Sequence, residues 1–262
     1  MSDYLSNLFS LKGKTILVTG GSKGIGLMMS TALIKAGAKV YISSRSQESC
    51  DEAAKALNEI GECVSIPYDL SIVENIQSLA DQIAQQEDKL DVLINNSGRT
   101  WGEQIEKFPE KGWDSVMTLN VKSPFYLVQK LLPLLEKAGT KEDPARIINI
   151  GSVAGIMAET QQAYSYMASK AAINHLTKGL AKDLVGRNIT ANAIAPGFFP
   201  SKMTRHITGN DDVMKYAMSI VPMGRMGKEE EIGSLAIYLS SKASAYITGA
   251  IINMDGGAVI SK

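Results

Sequence analysis

A glycine-rich turn between an apolar strand and a helix constrains the fold of this chain more than any other feature. The turn lies in the segment KTILVTGGSKGIG, where Gly20, Gly24 and Gly26 would let the backbone approach a pyrophosphate closely. The helix that follows would supply amide donors and a positive dipole to the same anion. The spacing TGxxxGxG lacks the GKS or GKT ending of a Walker loop, which argues against a nucleotide triphosphatase. We therefore predict a phosphate-binding unit here, with a purely structural turn as the alternative.

Strand-like and helical segments alternate along the rest of the chain. The strand candidates are Thr15–Val18, Lys39–Ser43, Cys63–Ile66, Val92–Asn95, Arg146–Ile150, Ile189–Ala195 and Ile251–Met254. This alternation predicts an α/β fold, a doubly wound parallel sheet of about seven strands with helices on both faces. Because such sheets bind ligands beyond the carboxyl ends of their strands, we expect the site in the loops that follow the strands.

A second motif, in the stretch AYSYMASKAA, pairs Tyr166 with Lys170. Side chains four residues apart on a helix share one face, separated by about 6 Å of rise. A positive charge about 4 Å from a phenol contributes roughly 4 kcal/mol at an effective dielectric of 20, enough to lower the tyrosine pKa toward neutrality. The pair therefore predicts a proton donor or acceptor, although an ordinary helix face with a snorkelling lysine has the same spacing.

These motifs together resemble the short-chain dehydrogenase/reductase family over nearly the whole chain. TGGSKGIG, NNSG, Asn120, Ser152, the YxxxK pair and a PG pair occur in the family's order and spacing; Ser97 departs from the family's usual alanine. The resemblance implies one Rossmann-type domain over residues 1–262. It also implies a catalytic tetrad of Asn120, Ser152, Tyr166 and Lys170.

The resemblance implies a role for each residue of the tetrad. Ser152 would hydrogen-bond the substrate carbonyl, and Tyr166 would protonate the developing alkoxide. Lys170 would hold the ribose and lower the tyrosine pKa. Asn120 would hold a water that relays protons to Lys170, whereas the residues alone also allow a helix-interior asparagine bonded to backbone.

Charge at the end of the second strand indicates which dinucleotide binds. A carboxylate there favours NAD, whereas a basic residue accommodates the 2′-phosphate of NADP. Arg45 ends that strand in YISSRS and Lys23 lies in the glycine loop, so we predict NADP(H), with stacking of Arg45 on the adenine of NAD as the alternative. The expected cofactor contacts are Gly20, Ser22, Lys23, Gly24, Ile25, Gly26, Ser44, Arg45, Ser46, Asp69, Leu70, Asn96, Ser97, Gly98, Tyr166, Lys170, Pro196, Gly197, Phe199 and Ser201.

A substrate lid is expected at about residues 198–227. Its apolar side chains are Phe198, Phe199, Met203, Ile207, Met214, Met218 and Met223. Flexible methionine-rich surfaces suit apolar ligands, although the same side chains could only pack the lid onto the domain.

Further segments indicate the substrate class. ARIINIGSVAGI, LAKDLVG, APGFFPSKMTRHI and PMGRMG resemble the NADPH-dependent β-ketoacyl reductases linked to rhamnolipid synthesis, which implies a 3-oxoacyl thioester substrate. A sugar or polyol dehydrogenase, such as a gluconate 5-dehydrogenase, is the alternative enzyme. A regulatory protein that binds a dinucleotide without turning it over is disfavoured, because the tetrad is complete.

Composition and charge limit the partners. The 27 basic and 27 acidic residues leave no basic footprint for nucleic acid, and we find no apolar run long enough for membrane insertion. The segment MSDYLSNLF lacks the features of a signal peptide, so we expect a cytoplasmic protein with Cys50 and Cys63 reduced. His175 and His206 are too few for a metal site.

Assembly is expected from the family resemblance alone. It implies a homotetramer or homodimer in which the helices after Trp113 and after Gln161 pair across one interface. The C-terminal strands would meet across another interface, although the apolar segment YITGAIINMDGGAVI is equally that of an internal edge strand.

Overall fold

The structure is a computed structural model that describes residues 3–158, 162–201 and 203–261. The described residues form one seven-stranded parallel sheet in the order β3-β2-β1-β4-β5-β6-β7. The strands are β1 (Thr15–Thr19), β2 (Lys39–Ser43), β3 (Cys63–Ser65), β4 (Val92–Asn95), β5 (Ala145–Ile150), β6 (Ile189–Pro196) and β7 (Ile251–Met254). The predicted doubly wound α/β fold is confirmed, and the predicted strand bounds differ by one residue at β1, β3, β5 and β6.

Helices cover both faces of this sheet. They are α1 (Asp3–Phe9), α2 (Gly24–Lys35), α3 (Gln47–Leu57), α4 (Val73–Gln86), α5 (Glu110–Met117), α6 (Ser123–Ala138), α7 (Tyr164–Leu184), α8 (Arg205–Thr208), α9 (Asp211–Ser219) and α10 (Glu229–Ser240). A π-helical turn, Thr118–Lys122, joins α5 to α6. Within the described part of the chain, no helix combines the length and the apolar character that a membrane crossing requires.

Two hydrophobic cores result from the alternation of side chains along each strand. Ile16 and Val18 of β1 belong to the core beneath α2, α3 and α10, whereas Leu17 belongs to the core beneath α4, α6 and α7. Cys50 and Cys63 lie in the first core as free thiols. Burial on both faces explains why the strands are continuous apolar runs in the sequence.

The strand order reverses between β1 and β4, and this places the ligand site. The chain runs outward from β1 through β2 to β3, then returns to β4 on the other side of β1. The loops after β1 and β4 are joined by the Thr19 hydroxyl, which accepts the N–H groups of Asn96 and Ser97, each at 3.0 Å. A crevice outside the carboxyl ends of the strands follows from this reversal.

Candidate active site

A cleft of about 440 Å³ opens at the carboxyl ends of the strands, and most of the predicted site residues line it. They are Gly20, Lys23, Gly24, Ile25, Gly26, Ser44, Arg45, Asp69, Leu70, Asn96, Ser97, Gly98, Ser152, Tyr166, Lys170, Pro196, Gly197, Phe199 and Ser201. Ser22, Ser46 and Asn120 lie outside the lining that the described residues form.

Several residues that line the cleft were not predicted from the sequence. They are Tyr68, Arg99, Leu119, Ile150, Gly151, Val153 and Thr204. All but one lie within two positions of a predicted tetrad or cofactor residue: Arg99 directly follows NNSG, for example, and Leu119 precedes Asn120. Thr204 has no such signal. Its hydroxyl donates to the Phe199 carbonyl at 2.7 Å and so closes a turn at the start of the segment predicted as a lid.

The glycine loop has the shape of an anion cradle. Gly20 and Gly24 have positive φ values of 66° and 54°, which other residues adopt at a cost. A Cβ at Gly26 would collide with the Gly20 carbonyl oxygen. No side chain among the described residues caps the N-terminus of α2, so its first amides are available to a ligand. These features fit a phosphate group.

Two cations lie at the end of the cleft nearest β2. Lys23 and Arg45 both line the cleft, and the Lys23 ammonium donates to the Ser49 hydroxyl at 2.9 Å, which ties the glycine loop to α3. Ser46 lies outside the lining because it caps α3, its hydroxyl accepting the Ser49 N–H at 3.3 Å. Both cations are placed as the NADP(H) prediction requires.

Asp69 supplies a carboxylate to the same end of the cleft. Its Oδ1 accepts the N–H and the hydroxyl of Ser71, at 3.0 and 2.6 Å. Burial raises the pKa of this carboxyl, but the Ser71 hydrogen bonds and the charges of Arg99 and Arg45 outweigh that effect and hold the pKa below its usual value. Asp69 is therefore an acceptor at physiological pH.

Tyr166 and Lys170 share one face of α7, as their spacing predicts. The Lys170 Nζ lies 5.5 Å from the centroid of the Tyr166 ring and donates to the Ile150 carbonyl at 2.7 Å. Lys170 is only 6% exposed, and burial lowers its pKa from 10.5 to about 8. Tyr164 instead packs edge-on against Phe108, with ring centroids 5.8 Å apart, and is not among the residues that line the cleft.

Ser152 faces the same cleft from the loop after β5. Its hydroxyl oxygen accepts the Ala154 N–H at 3.1 Å, at the start of the short 3₁₀ turn Val153–Gly155. A serine hydroxyl that accepts one bond keeps its own proton for donation. Ser152, Tyr166 and Lys170 therefore converge on one space.

Asn120 connects the loop after β4 to α7. Its Oδ1 accepts the Arg99 N–H and its Nδ2 donates to the Arg99 carbonyl, both at 2.9 Å. Nδ2 also donates to the Ser169 hydroxyl at 2.9 Å, and that hydroxyl donates to the Tyr166 carbonyl at 2.7 Å. Asn120 sits in the π-helical turn and is 3% exposed. Its side chain thus positions backbone on both sides of the cleft.

The segment predicted as a lid is joined at its two ends, and part of it lines the cleft. The Gly227 N–H donates to the Phe198 carbonyl at 2.9 Å, and the Phe199 ring lies against Gly227. Of the apolar side chains predicted for the lid, those seen to line the cleft are Phe198, Phe199 and Met203. Met223 is 68% exposed. Lys202 and Gln161 lie outside the described residues, as do the side chains of His206 and Ile207.

Comparison with known proteins agrees with this geometry. A family model described as enoyl-(acyl carrier protein) reductase matches residues 20–259. The rhamnolipids biosynthesis 3-oxoacyl-(acyl-carrier-protein) reductase of Pseudomonas aeruginosa is 49% identical over 249 residues, covering 95% of this chain and 97% of that protein. The gluconate 5-dehydrogenase of Gluconobacter oxydans is 33% identical over 256 residues, covering 97% and 98%.

A solved structure gives the same result for the fold. The active-site complex of Pseudomonas aeruginosa RhlG with NADP superposes with a TM-score of 0.94 at 48% identity, covering 97% of this chain and 99% of that one. Sequence and fold both agree over nearly the entire length. The chain therefore belongs to the short-chain dehydrogenase/reductase family.

Proposed function

We propose that this protein reduces a carbonyl compound to a secondary alcohol with NADPH. The observation that carries the proposal is the convergence of Ser152, Tyr166 and the buried Lys170 on a cleft that also contains an uncapped, glycine-rich helix N-terminus. One end of the cleft offers N–H groups that can bind a phosphate, and the other offers side chains that can donate a proton. Bound there, the dinucleotide would supply the hydride.

Positive charge in the cleft supports NADP(H) as the cofactor. Arg45 and Lys23 line the cleft beyond β2, where a 2′-phosphate would lie, and the RhlG structure similar to this chain is an NADP complex. Replacing Arg45 with Asp removes a charge-assisted contact and adds repulsion, so NADPH should lose at least tenfold in kcat/KM against NADH. A wild-type enzyme that already uses NADH better than NADPH would refute this choice.

The proposed chemistry assigns one step to each side chain. The Ser152 hydroxyl donates a hydrogen bond to the substrate carbonyl oxygen, which polarises the carbon for hydride addition. Tyr166 then delivers its phenolic proton to that oxygen, completing the alcohol. Lys170 holds a positive charge beside the Tyr166 ring and favours the phenolate left behind.

Asn120 is proposed to support proton return to Tyr166. Both N–H groups of its amide are engaged, by the Arg99 carbonyl and by Ser169, but Oδ1 has room for a second donor. A π-helical turn also widens the helix, and such turns recur at functional sites. We propose that Lys170 returns a proton to the Tyr166 phenolate and that a water held at this turn then passes a proton to Lys170.

The substrate is proposed to be a 3-oxoacyl thioester. The name of the 49% identical Pseudomonas relative supports it, and so do Phe198 and Met203, which give the cleft an apolar wall on the lid side. The Gluconobacter relative keeps a keto-gluconate substrate as the second candidate. A sugar pocket would need buried polar groups to match several hydroxyls.

Chain length separates these two candidates. Each buried methylene contributes up to about 0.8 kcal/mol, so kcat/KM should rise up to about fourfold per methylene from short to medium 3-oxoacyl thioesters. The measurement is NADPH oxidation across that series, with 5-ketogluconate and simple ketones alongside. Activity confined to the keto-sugar would refute the acyl substrate and leave the cofactor and tetrad standing.

We also propose that the chain is one cytoplasmic domain, with the lid at residues 198–227, and that it assembles as a homotetramer or homodimer. Exposed aromatic residues support assembly: Trp113 on α5 and Phe125 on α6 are each 42% exposed. At the β7 edge of the sheet, Ile251 and Ile252 are only half-buried. Such surfaces are typical of contacts between subunits.

A further inference from the structure

Arg99 lines the cleft, yet the proposed reaction gives it no role. It follows NNSG at the carboxyl end of β4, and its backbone N–H and carbonyl are both bonded to the Asn120 side chain at 2.9 Å. Because Asn120 is buried, these two bonds fix the point from which the Arg99 side chain leaves the backbone. The Arg99 side chain thus starts from a fixed point in the wall.

The neighbours of Arg99 locate its side chain at the end of the cleft that contains Asp69. Arg99 also borders an open surface depression, together with Ser71 and Thr118. Ser71 follows Asp69 and Leu70 in the chain, and Thr118 precedes Leu119. Asp69, Leu70 and Leu119 line the cleft itself. Arg99 therefore separates the cleft from the depression at the end formed by Asp69, Leu70 and Leu119.

The guanidinium at this position is available to a ligand. Among the described residues it forms no hydrogen bond and no ion pair, although its charge helps to keep Asp69 ionised. A planar cation that lines the same end of the cleft as a carboxylate and two leucines suits a flat heteroaromatic ring with an exocyclic amine. The leucines would contact the ring, the carboxylate would accept from the amine, and the guanidinium would stack on the face.

We propose that Arg99 stacks on the adenine ring of the bound dinucleotide and closes the adenosine end of the cleft. This inference rests on the proposed function, because it requires a dinucleotide. It separates the two arginines by role: Arg45 contacts the group that distinguishes NADPH from NADH, whereas Arg99 contacts the ring that both share. Arg99 therefore contributes affinity without cofactor preference.

Direct binding measurements test these different roles of Arg45 and Arg99. Dissociation constants for NADPH and NADH are measured by titration of dihydronicotinamide fluorescence on the wild type, Arg99→Met, Arg45→Ala and Lys111→Met. Arg99→Met should weaken both cofactors by about tenfold. Arg45→Ala should weaken NADPH only. Lys111 lies in the depression but not in the cleft lining, so Lys111→Met controls for general loss of positive charge and should change neither constant.

The binding results separate a failure of the adenine assignment from a failure of the proposed function. Unchanged constants in Arg99→Met, or a loss confined to NADPH, would overturn the adenine assignment. Arg99→Lys keeps the charge without the plane, so full recovery of affinity by lysine would also overturn it. Thermal unfolding without cofactor checks that each variant is folded. A wild type that binds neither dinucleotide would instead overturn the proposed function.

Discussion

Tyr166 is the residue on which the proposed chemistry depends most directly. Tyr166→Phe keeps the ring beside Lys170 and removes the proton donor, so turnover should fall by at least about a hundredfold while NADPH binding is retained. Steady-state kinetics and a cofactor titration measure the two effects separately. Tyr164→Phe is the matched control, because the Tyr164 ring packs on Phe108 outside the cleft lining and should matter little. Near-normal turnover of Tyr166→Phe would contradict the role of Tyr166 as the proton donor.

Lys170 illustrates a residue that lowers stability where it serves function. Its pKa falls from 10.5 to about 8 on burial, so at neutral pH the folded chain carries a penalty of about 3 kcal/mol for the charge. Lys170→Met removes that penalty and also the charge-assisted bond to the Ile150 carbonyl, which is worth about 1.5–3 kcal/mol. We expect the variant without cofactor to be more stable at pH 7, by up to about 1.5 kcal/mol, and inactive.

The pH dependence of this difference has a defined sign. Between pH 8 and 10.5 the unfolded chain binds more protons at Lys170 than the folded chain, so the wild type gains stability from this group as the pH rises. The advantage of Lys170→Met should therefore shrink across that window. Denaturant unfolding of both proteins at pH 7 and pH 10 measures it. A difference that is constant with pH would show that the buried charge of Lys170 is not its cause.

Residue identity was easier to predict from the sequence than residue partners. The motifs located most of the residues that line the cleft, because each chemical role demands a particular side chain at a particular spacing. Partners depend on three-dimensional packing, and so the bonds of Asn120 to the Arg99 backbone and the capping role of Ser46 were not predicted. Arg99 was not predicted, because an arginine after NNSG indicates no particular role until its neighbours in the structure are known.

At the scale of elements, the proposed lid at residues 198–227 is held by contacts between its two ends. A Cβ at Gly227 would overlap the Phe199 ring, which is 2% exposed and lines the cleft. Gly227→Ala should therefore displace Phe199, destabilise the protein by about 1–3 kcal/mol and raise KM for substrate. Gly179→Ala on α7 is the control: its Cβ would meet open space, and the change should stabilise the helix by up to about 1 kcal/mol. Equal effects of the two substitutions would contradict a specific contact.

Strands were predicted to within a residue, whereas helical irregularities were not. Most of the strands are short apolar runs that end at or directly before glycine, asparagine or serine, and burial on both faces leaves a strong pattern. The π-helical turn Thr118–Lys122 has no comparable pattern, because one extra residue in a helix hardly changes the apolar periodicity. Its position next to α7 emerges only from the packing of Asn120 on Ser169.

At the scale of the whole molecule, assembly should bury the exposed apolar residues on two separate surfaces. Phe125 on α6 is 42% exposed, and Ile260, just beyond β7, is 85% exposed. Two independent surfaces of this kind predict a tetramer with two kinds of interface. Light scattering should give the mass of four chains for the wild type.

Single substitutions then separate the two interfaces. Phe125→Glu and Ile260→Glu should each halve the mass, because a buried carboxylate without a partner disrupts one interface and leaves the other. Ile60→Glu is the control: Ile60 is 45% exposed but lies beside β3, at the opposite edge of the sheet, so its variant should keep the wild-type mass. A wild type with the mass of one chain would exclude assembly. A two-chain mass lost in only one of the two variants would identify a dimer and assign its interface.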